Sequence, residues 1–565
     1  WKGTFLKISP DFKDNNFEKR NDGILKIKDY QVTKPLFYNE GELEHKDPSE
    51  EGSTDIKKDM GHFLNAIRTA PYTKFKKGVK IYTDSKSYNP ESSIVSNGYD
   101  REYGFTVVME TYPNEEYNYN LYKDIINFET ADIGKINDKL ANDEDKIDDN
   151  LTYFMPKDLE IGGQKDKSKV PLVYFENEGT VEIADKAKGF LMTVVNLASN
   201  KLYIANNKGS IVLLPRYDED QKAAVFFYSP DIGQEPDTKE HIINVNTGDI
   251  NLFGSHTMGF LATAVFEDDY GGSLKDSILS FINDGNLIVN GAKSIGIAIA
   301  GDKGDLGTGS NVHAFKPITL RGDETIGFYN ENNTLNKDNK SFNTMKIIIA
   351  DKGNETDDYK SKIANDKLDI KEDGEEGKIF KSQSNTTGND ERSVDNAIAI
   401  VYDANKPSSV MDLARTDIQI NANSTNGIGI YAKNGTIKLS GENNDAKIID
   451  SFDEKIVNKI NENFKNDTNH VININGGKNN VALYSADKSK IIYNGDININ
   501  GGKDFEGKES TDNRAILATD QGEIEFQGKL NVGKDDSLIT SNAVVYSDDA
   551  EVTIKKDSTI NMNLA

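Results

Sequence analysis

Six histidines and 93 carboxylates are the side chains of this 565-residue chain that could perform acid–base or metal chemistry. A helix-borne metal site places two histidines one helical turn apart, as in H-E-x-x-H, and no such pair occurs. The chain has no cysteine, which excludes thiolate ligands, a cysteine nucleophile and disulfides. The sequence therefore predicts no metal, no cofactor and six separate surface or turn histidines: His45, His62, His241, His256, His313 and His470.

Serine catalysis lacks its motifs as well. A chymotrypsin-like site carries Gly-Asp-Ser-Gly around its nucleophile, and a hydrolase elbow needs G-x-S-x-G. The first motif is absent. The nearest approach to the second, 292–296, lacks the leading glycine and lies in a stretch with strand periodicity. We therefore predict no catalytic residues and no enzyme activity.

Oxygen ligands for calcium are concentrated in two acidic segments, 143–149 and 302–305. Neither segment has the D-x-D-x-D-G spacing of an EF-hand loop, and the glycine-rich nonapeptide of calcium-binding β-rolls is missing. Acidic runs of this kind are typical of solvated loops.

Arg321, Gly322 and Asp323 form a short recognition motif. They fall between the apolar stretches 315–320 and 326–329, which predicts a turn. An integrin could bind an exposed loop of this sequence through the arginine and a metal-bound aspartate. The same tripeptide also suits an ordinary turn between strands, so both interpretations stay open.

A second candidate binding segment is 112–122, which concentrates tyrosines in a polar surround. Tyrosine offers rigid, amphipathic contact area for proteins or sugars. The alternative is that this segment packs onto the body of the protein. The candidate residues are Tyr112, Tyr117, Tyr119 and Tyr122.

An internal repeat indicates which elements position these residues. Within 417–440, Asn, Ser and Gly turns separate three short apolar alternations: Ile418/Ile420, Ile428/Ile430 and Ile437/Leu439. The triplet returns in 497–526 and in 530–554, and a further round opens at Ile560. The first strands of these later rounds are 33 and 30 residues apart, which defines a period.

Strands of three to five residues bury little surface alone. Coiling three strands per turn and stacking the turns ~4.8 Å apart places each inward apolar side chain on its counterpart in the next turn. The sequence thus predicts an all-β parallel β-helix over 166–565, with about 13 turns. Asparagines at matching positions, such as Asn473 and Asn498, predict stacked amide ladders.

Several segments interrupt this pattern. A motif that often contains tyrosine recurs about once per repeat along the chain. The spacing between successive motifs is close to double between Tyr329 and Tyr402 and between Tyr431 and Tyr484. At each place the sequence either contains a turn of the β-helix without a recognisable motif or contains a protruding loop. We expect loop extensions near 331–395 and 441–470, where charged residues concentrate. Helical periodicity is confined to 60–69 and 454–465, and we expect both segments to be short helices in loops outside the β-helix.

Residues 1–165 show the strand pattern only irregularly. They predict a degenerate start of the β-helix or a small, partly α+β insertion on its side. The chain opens at Trp1 without a leader, which predicts a processed protein or a fragment. Its net charge of −26 argues against a nucleic-acid partner, and no apolar run approaches the ~18 residues of a membrane span.

The segments 427–441 and 542–554 resemble turns of the passenger domains of large Gram-negative autotransporter adhesins. The Lys, Asn, Asp and Ile bias is most similar to the fusobacterial, RadD-like type V members. The resemblance implies a right-handed β-helix and a monomeric passenger. It also implies a place at the cell surface, through an outer-membrane barrel absent from this chain, or release into the medium.

Residues and resemblance together predict a non-enzymatic cell-surface adhesin fragment. Its partner would be a host-cell protein or glycan, or the surface of another bacterium. Two alternatives stay open. A β-helix enzyme acting on polysaccharide would show a carboxylate cluster with a basic residue across neighbouring turns. A passive stalk would have short and uniform loops.

Overall fold

Strands make up 63% of the residues that the structure describes and helix 4%, and the strands stack in long parallel sheets. The protein is therefore an all-β parallel β-helix, which confirms the predicted fold class. Period-two alternation of apolar residues selects strands over helices. The computed structural model describes the side chains of the following ranges and of a few single residues outside them: 175–183, 202–215, 224–226, 242–262, 279–300, 311–331, 343–350, 393–404, 408–439, 453–465, 469–503, 510–533 and 544–562.

Three strands form each turn, one on each face of the β-helix, and we number the strands in chain order. Face C is an unbroken stack of twelve parallel strands. Its strands are β5 (Ala66–Thr69), β8 (Thr106–Met109), β12 (Lys188–Thr193), β15 (Ala223–Ser229), β18 (Thr257–Thr263), β21 (Ile295–Ala300), β24 (Ile326–Asn330), β29 (Ile398–Asp403), β33 (Ile428–Lys433), β36 (Val481–Ala486), β39 (Arg514–Thr519) and β42 (Val545–Asp548).

Faces A and B belong to one hydrogen-bonded sheet of 21 strands. Face A contains β6 (Tyr72–Phe75), β10 (Leu172–Asn177), β13 (Leu202–Asn207), β16 (His241–Asn246), β19 (Ile278–Asn283) and β22 (Asn311–Ala314). Face B contains β3 (Ile24–Ile27), β7 (Lys80–Thr83), β11 (Thr180–Ile183), β14 (Ser210–Leu213), β17 (Asp249–Leu252), β20 (Asn286–Val289), β23 (Ile318–Leu320), β25 (Thr344–Ile349), β31 (Arg415–Asn421), β35 (His470–Asn475), β38 (Asp496–Asn500), β41 (Lys529–Val532) and β44 (Thr559–Met562).

The corner between faces A and B ends at β25, which pairs with both β22 and β23. Beyond it, a five-stranded parallel sheet takes the place of face A in the chain order. This face D consists of β30 (Val410–Asp412), β34 (Thr436–Leu439), β37 (Lys490–Asn494), β40 (Glu523–Gln527) and β43 (Glu551–Ile554).

Further strands pair outside these stacks. The antiparallel pairs are β1 (Leu6–Ile8) with β4 (Phe37–Asn39), β2 (Phe17–Lys19) with β3, β9 (Phe128–Ala131) with β6, and β26 (Asp358–Lys360) with β27 (Ile379–Lys381). A short parallel pair joins β28 (Val394–Asp395) to β32 (Ser424–Thr425).

The stacked faces run on across the predicted boundary at residue 165. Strands β6 and β7 pair in parallel with β10 and β11, and β8 pairs with β12. The helix expected over 60–69 is wrong for Ala66–Thr69, which form β5. Ile67 pairs in register with Val107, and this parallel ladder outweighs the local helical period.

The core is a continuous column of inward Ile, Val, Leu and Phe side chains. The repeat identified them correctly, since Ile418, Ile420, Ile437 and Leu439 are all 0% exposed. Ten strands of face C lie in 166–565, fewer than the turns expected from the period. Loops account for the difference, because Tyr329 pairs directly with Val401 and Tyr431 with Tyr484, so no turn is hidden at either double spacing.

One of these loops carries helix α1 (Glu454–Asn463), which confirms the helix predicted over 454–465. Asp453 caps it by accepting a hydrogen bond from the Lys455 backbone N–H at 2.9 Å. Lys459 forms an ion pair with Asp284 and lies 5.7 Å from the centre of the Phe315 ring. The helix therefore folds back over turns that precede it in the chain.

Amide ladders fix the turns against one another. Asn177, Asn207, Asn246 and Asn283 each end a face A strand and are buried. The Nδ2 of each of the first three donates to the Oδ1 of the next at 2.8 Å. The predicted ladder on face B is also present, since Asn498 Nδ2 donates to Asn473 Oδ1 at 2.9 Å. Each amide pairs with its copy in the next turn, so a shift of register would break the whole row.

Candidate binding surface

Arg321, Gly322 and Asp323 lie at the corner where face B turns into face C. A tetrapeptide builds this corner once per turn; its third residue has a positive φ and its fourth is buried. In the unit that starts at Gly322 these residues are Glu324, with φ 54°, and Thr325. The positive φ recurs through seven successive described turns, at His256, Lys293, Glu324, Asn396, Asn426, Asn479 and Asp512.

The geometry at this corner serves packing. A Cβ on Gly322 would lie 2.5 Å from the Asn290 carbonyl oxygen, so only glycine fits. Asp323 is 6% exposed, and its Oδ1 accepts a hydrogen bond from the Asp395 N–H at 2.9 Å. Burial raises the pKa of Asp323 to about 6, against the lowering effect of that hydrogen bond. Because this carboxylate is buried, its low exposure disfavours contact with a metal ion held by a partner.

Ser294, from the near match to a hydrolase elbow, occupies the fourth position of the preceding corner. It is buried, its Oγ donates to the Gly254 carbonyl oxygen at 3.0 Å, and it accepts from the Thr257 N–H at 3.0 Å. These bonds tie adjacent turns together. The candidate residues Tyr112, Tyr117, Tyr119 and Tyr122 lie outside the described residues, as do the acidic segments 143–149 and 302–305.

His313 and His470 are 0% exposed, so the expectation of surface or turn histidines is wrong for these two. Each Nδ1 contacts a threonine Oγ1 in a neighbouring turn, at 2.9 Å for Thr344 and 3.2 Å for Thr416. Burial lowers the pKa of each imidazole to about 3, with a further contribution from Arg415 at His470. Both rings are neutral at pH 7 and stabilise the stacking of the turns.

A carboxylate cluster with basic neighbours does occur, on the outer side of face D. Lys490 Nζ lies 2.5 Å from Glu525 and 3.3 Å from Glu523, and Lys555 Nζ lies 2.8 Å from Glu525. The two lysines lower the pKa of Glu525, which is therefore ionised. A glycosidase acid needs a raised pKa, so this cluster has the properties of an ion-pair ladder.

The outer side of face C carries one aromatic or aliphatic side chain per turn, which we call the tyrosine column. Its members pair in register: Tyr329, Val401, Tyr431, Tyr484, Leu517 and Tyr546. The Tyr431 and Tyr484 rings lie 5.0 Å apart, centre to centre, and both are half-buried, while Tyr546 is 44% exposed. A parallel row of half-buried Ile326, Ile398 and Ile428 flanks the column.

Carboxylates line the other flank, which we call the acidic border: Glu331, Asp403, Asp487, Asp520, Asp548 and Asp549. Three of them, Asp487, Asp520 and Asp549, stack one per turn at the corner that follows face C, each with a positive φ of 50–52°. The border acts on the column electrostatically. Burial raises the pKa of Tyr431 to about 12, and Tyr484, Asp487, Asp403 and Asp520 add to this increase.

The sequence offered a signal for this surface. The tyrosine spacing marked the turns, yet spacing alone does not separate outward tyrosines from Tyr402, which faces the core and is 0% exposed. Insertions also separate Tyr329 from Val401 and Tyr431 from Tyr484 in the sequence, so the linear sequence does not show that these column members are neighbours.

Within the described residues, no group of three or more His, Asp or Glu side chains is placed to hold a metal ion. No helix in that part of the chain is long and apolar enough to cross a bilayer. No protein-family model, curated protein or solved structure matches the sequence or the fold of this chain.

Proposed function

We propose that this chain is a non-enzymatic, cell-surface adhesin fragment of an outer-membrane autotransporter. Its β-helix would present a binding surface to a receptor on a host cell or on another bacterium, at the cell surface or after release. The observation that carries the proposal is the tyrosine column with its acidic border. Contact-forming side chains recur there once per turn on a rigid sheet, and such positioning favours binding because few degrees of freedom are lost on association.

Two further observations support this function. The sequence resembles adhesin passengers at 427–441 and 542–554. Insertions such as the segment with helix α1 favour a binding protein over a stalk, for which short and uniform loops are expected. The proposal assigns the chain no cofactor and no nucleic-acid partner, and it treats the protein as a monomer.

The second candidate function is a polysaccharide-active enzyme, favoured by the cluster of Lys490, Glu523, Glu525 and Lys555 on face D. It would require one protonated carboxyl group beside an ionised one. Because Glu525 contacts two lysines that lower its pKa, binding remains the better-supported function. If the purified chain released reducing or unsaturated sugars from any of a panel of polysaccharides, the enzyme function would become better supported than binding.

Binding of the labelled, purified chain to epithelial cells, immune cells and other bacteria tests the proposal. Free sugars serve as competitors. We expect saturable binding; its loss with one sugar would identify a glycan receptor, and insensitivity to sugars would identify a protein receptor. Absence of saturable binding to every cell type would overturn the adhesin function.

A further inference from the structure

We propose that the tyrosine column and its acidic border bind an extended, basic polypeptide segment of the receptor. This inference rests on the proposed adhesive function and adds the chemical class of the partner. The surface involved runs from Tyr431 to Tyr546 on the outer side of face C, across four successive strands, β33, β36, β39 and β42.

Charge argues for a basic partner. Along this surface the acidic border contributes Asp487, Asp520, Asp548 and Asp549, with Asp403 beside its first strand. The basic residues on the same strands and corners are Lys433 and Lys488 near the border and Arg514 at the opposite end of β39. Lys433 already contacts Asp403 at 3.2 Å, so it neutralises one carboxylate only. Lysine and arginine side chains are attracted both to carboxylates and to the faces of tyrosine rings. A neutral glycan could stack on the tyrosine rings and accept or donate hydrogen bonds, but it would form no ion pairs with the carboxylates.

Dimensions argue for an extended polypeptide. Asp487, Asp520 and Asp549 lie in consecutive turns, so their row is roughly 10 Å long. Side chains on one side of an extended segment are about 7 Å apart, so two basic side chains fit along the row. The backbone between them would then lie on Tyr484, Leu517 and Tyr546. A single metal ion would use neither this length nor the aromatic column.

The test compares three variants of the full chain. The site variant combines Asp487→Asn, Asp520→Asn and Asp549→Asn, because asparagine has a similar size and tolerates positive φ. The charge-matched control combines Asp512→Asn, Glu523→Gln and Glu551→Gln, which lie away from the column. The third variant, Tyr431→Ser with Tyr484→Ser, changes no charge. Circular dichroism melting identifies any variant that fails to fold.

The probe is a fluorescein-labelled peptide of twelve residues in which arginine and serine alternate, followed by fluorescence anisotropy near physiological salt. We expect the site and tyrosine variants each to bind about tenfold more weakly than the unchanged chain, and the control to change less than about twofold. An equal loss in the control would show that net charge alone attracts the peptide. That result, or absence of peptide binding, would overturn the inference, as would tyrosine-dependent binding of a neutral glycan in its place.

The same variants separate this inference from the adhesin function. If the site variant attaches to cells as well as the unchanged chain does, the adhesin function stands and the basic-partner inference fails. If the chain attaches to no cell while the variants differ as expected toward the peptide, the surface assignment stands and the adhesin function fails.

Discussion

Replacement of Asp323 by asparagine distinguishes a structural corner from a recognition motif. The carboxylate is 6% exposed and accepts one hydrogen bond from the Asp395 N–H. Asparagine retains an oxygen for that bond and removes the buried charge. We expect the Asp323→Asn protein to be more stable than the unchanged protein at neutral pH.

The magnitude follows from the raised pKa. Burial moves the pKa of Asp323 from 3.8 to about 6. A shift of roughly two units corresponds to about 3 kcal/mol. Nearby solvent screens part of this penalty, so we expect a gain of about 1.5 kcal/mol. The penalty is complete above pH 6, decreases as the pH falls through that value, and vanishes below 3.8, where both states are protonated.

Hydrogen exchange of the Asp395 amide reports this gain locally, because its N–H donates to the carboxylate. At pH near 7.5 we expect exchange in the variant to be about tenfold slower than in the unchanged protein, and at pH near 4 the two rates should converge. Asp512→Asn, at another unit of the same corner column, is the control and should change the rate by less than about twofold.

Faster exchange of the Asp395 amide at neutral pH would refute this account, because it would mean that the charged carboxylate stabilises the corner. A pH-independent gain would also contradict it. Cell attachment separates the two interpretations of the tripeptide: we expect Asp323→Asn to leave it unchanged, whereas a marked loss with the corner intact would favour integrin-type recognition.

Three further predictions concern the scaffold. Asn246→Leu interrupts the buried amide ladder and leaves neighbouring amides unpaired, so we expect a loss of about 3 kcal/mol, measured as a lower urea midpoint. Gly248→Ala places a Cβ 2.1 Å from a carbonyl oxygen and should lower the melting temperature and increase protease cleavage. In Gly507→Asn no atom lies within 4 Å of the added Cβ, and asparagine tolerates the positive φ of 80° better than most residues, so both effects should be smaller. His313 and His470 have pKa values near 3 in the folded protein, so the unfolded state takes up their protons first and stability should fall as the pH drops from 6.5 towards 3, by about 1.4 kcal/mol per pH unit for each histidine. Urea unfolding at several pH values measures the pH dependence of stability; His313→Gln should remove the part due to His313, and an unchanged slope would contradict the assignment.

Local patterns in the amino-acid sequence are sufficient to predict the architecture of this protein. Alternation of apolar residues within each short strand fixes which side chains face inward, and it does so locally, as Ile437 and Leu439 show. The repeat period then requires three strands per turn. The hydrogen bond between the Asn473 and Asn498 amides could also be predicted from the sequence, because the two residues occupy the same position in adjacent repeats.

Which outward residues become neighbours depends on how the turns stack, and local patterns do not reveal it. Tyr431 and Tyr484 are 53 residues apart, separated by the insertion that carries helix α1, and yet their rings lie 5.0 Å from one another. Asp323 is buried by a corner whose partner, Asp395, comes 72 residues later. The alternation of apolar residues within a strand does not reveal such pairs, because an insertion of any length leaves that alternation unchanged. The register between the strands on either side of an insertion is set only when one turn stacks on the next.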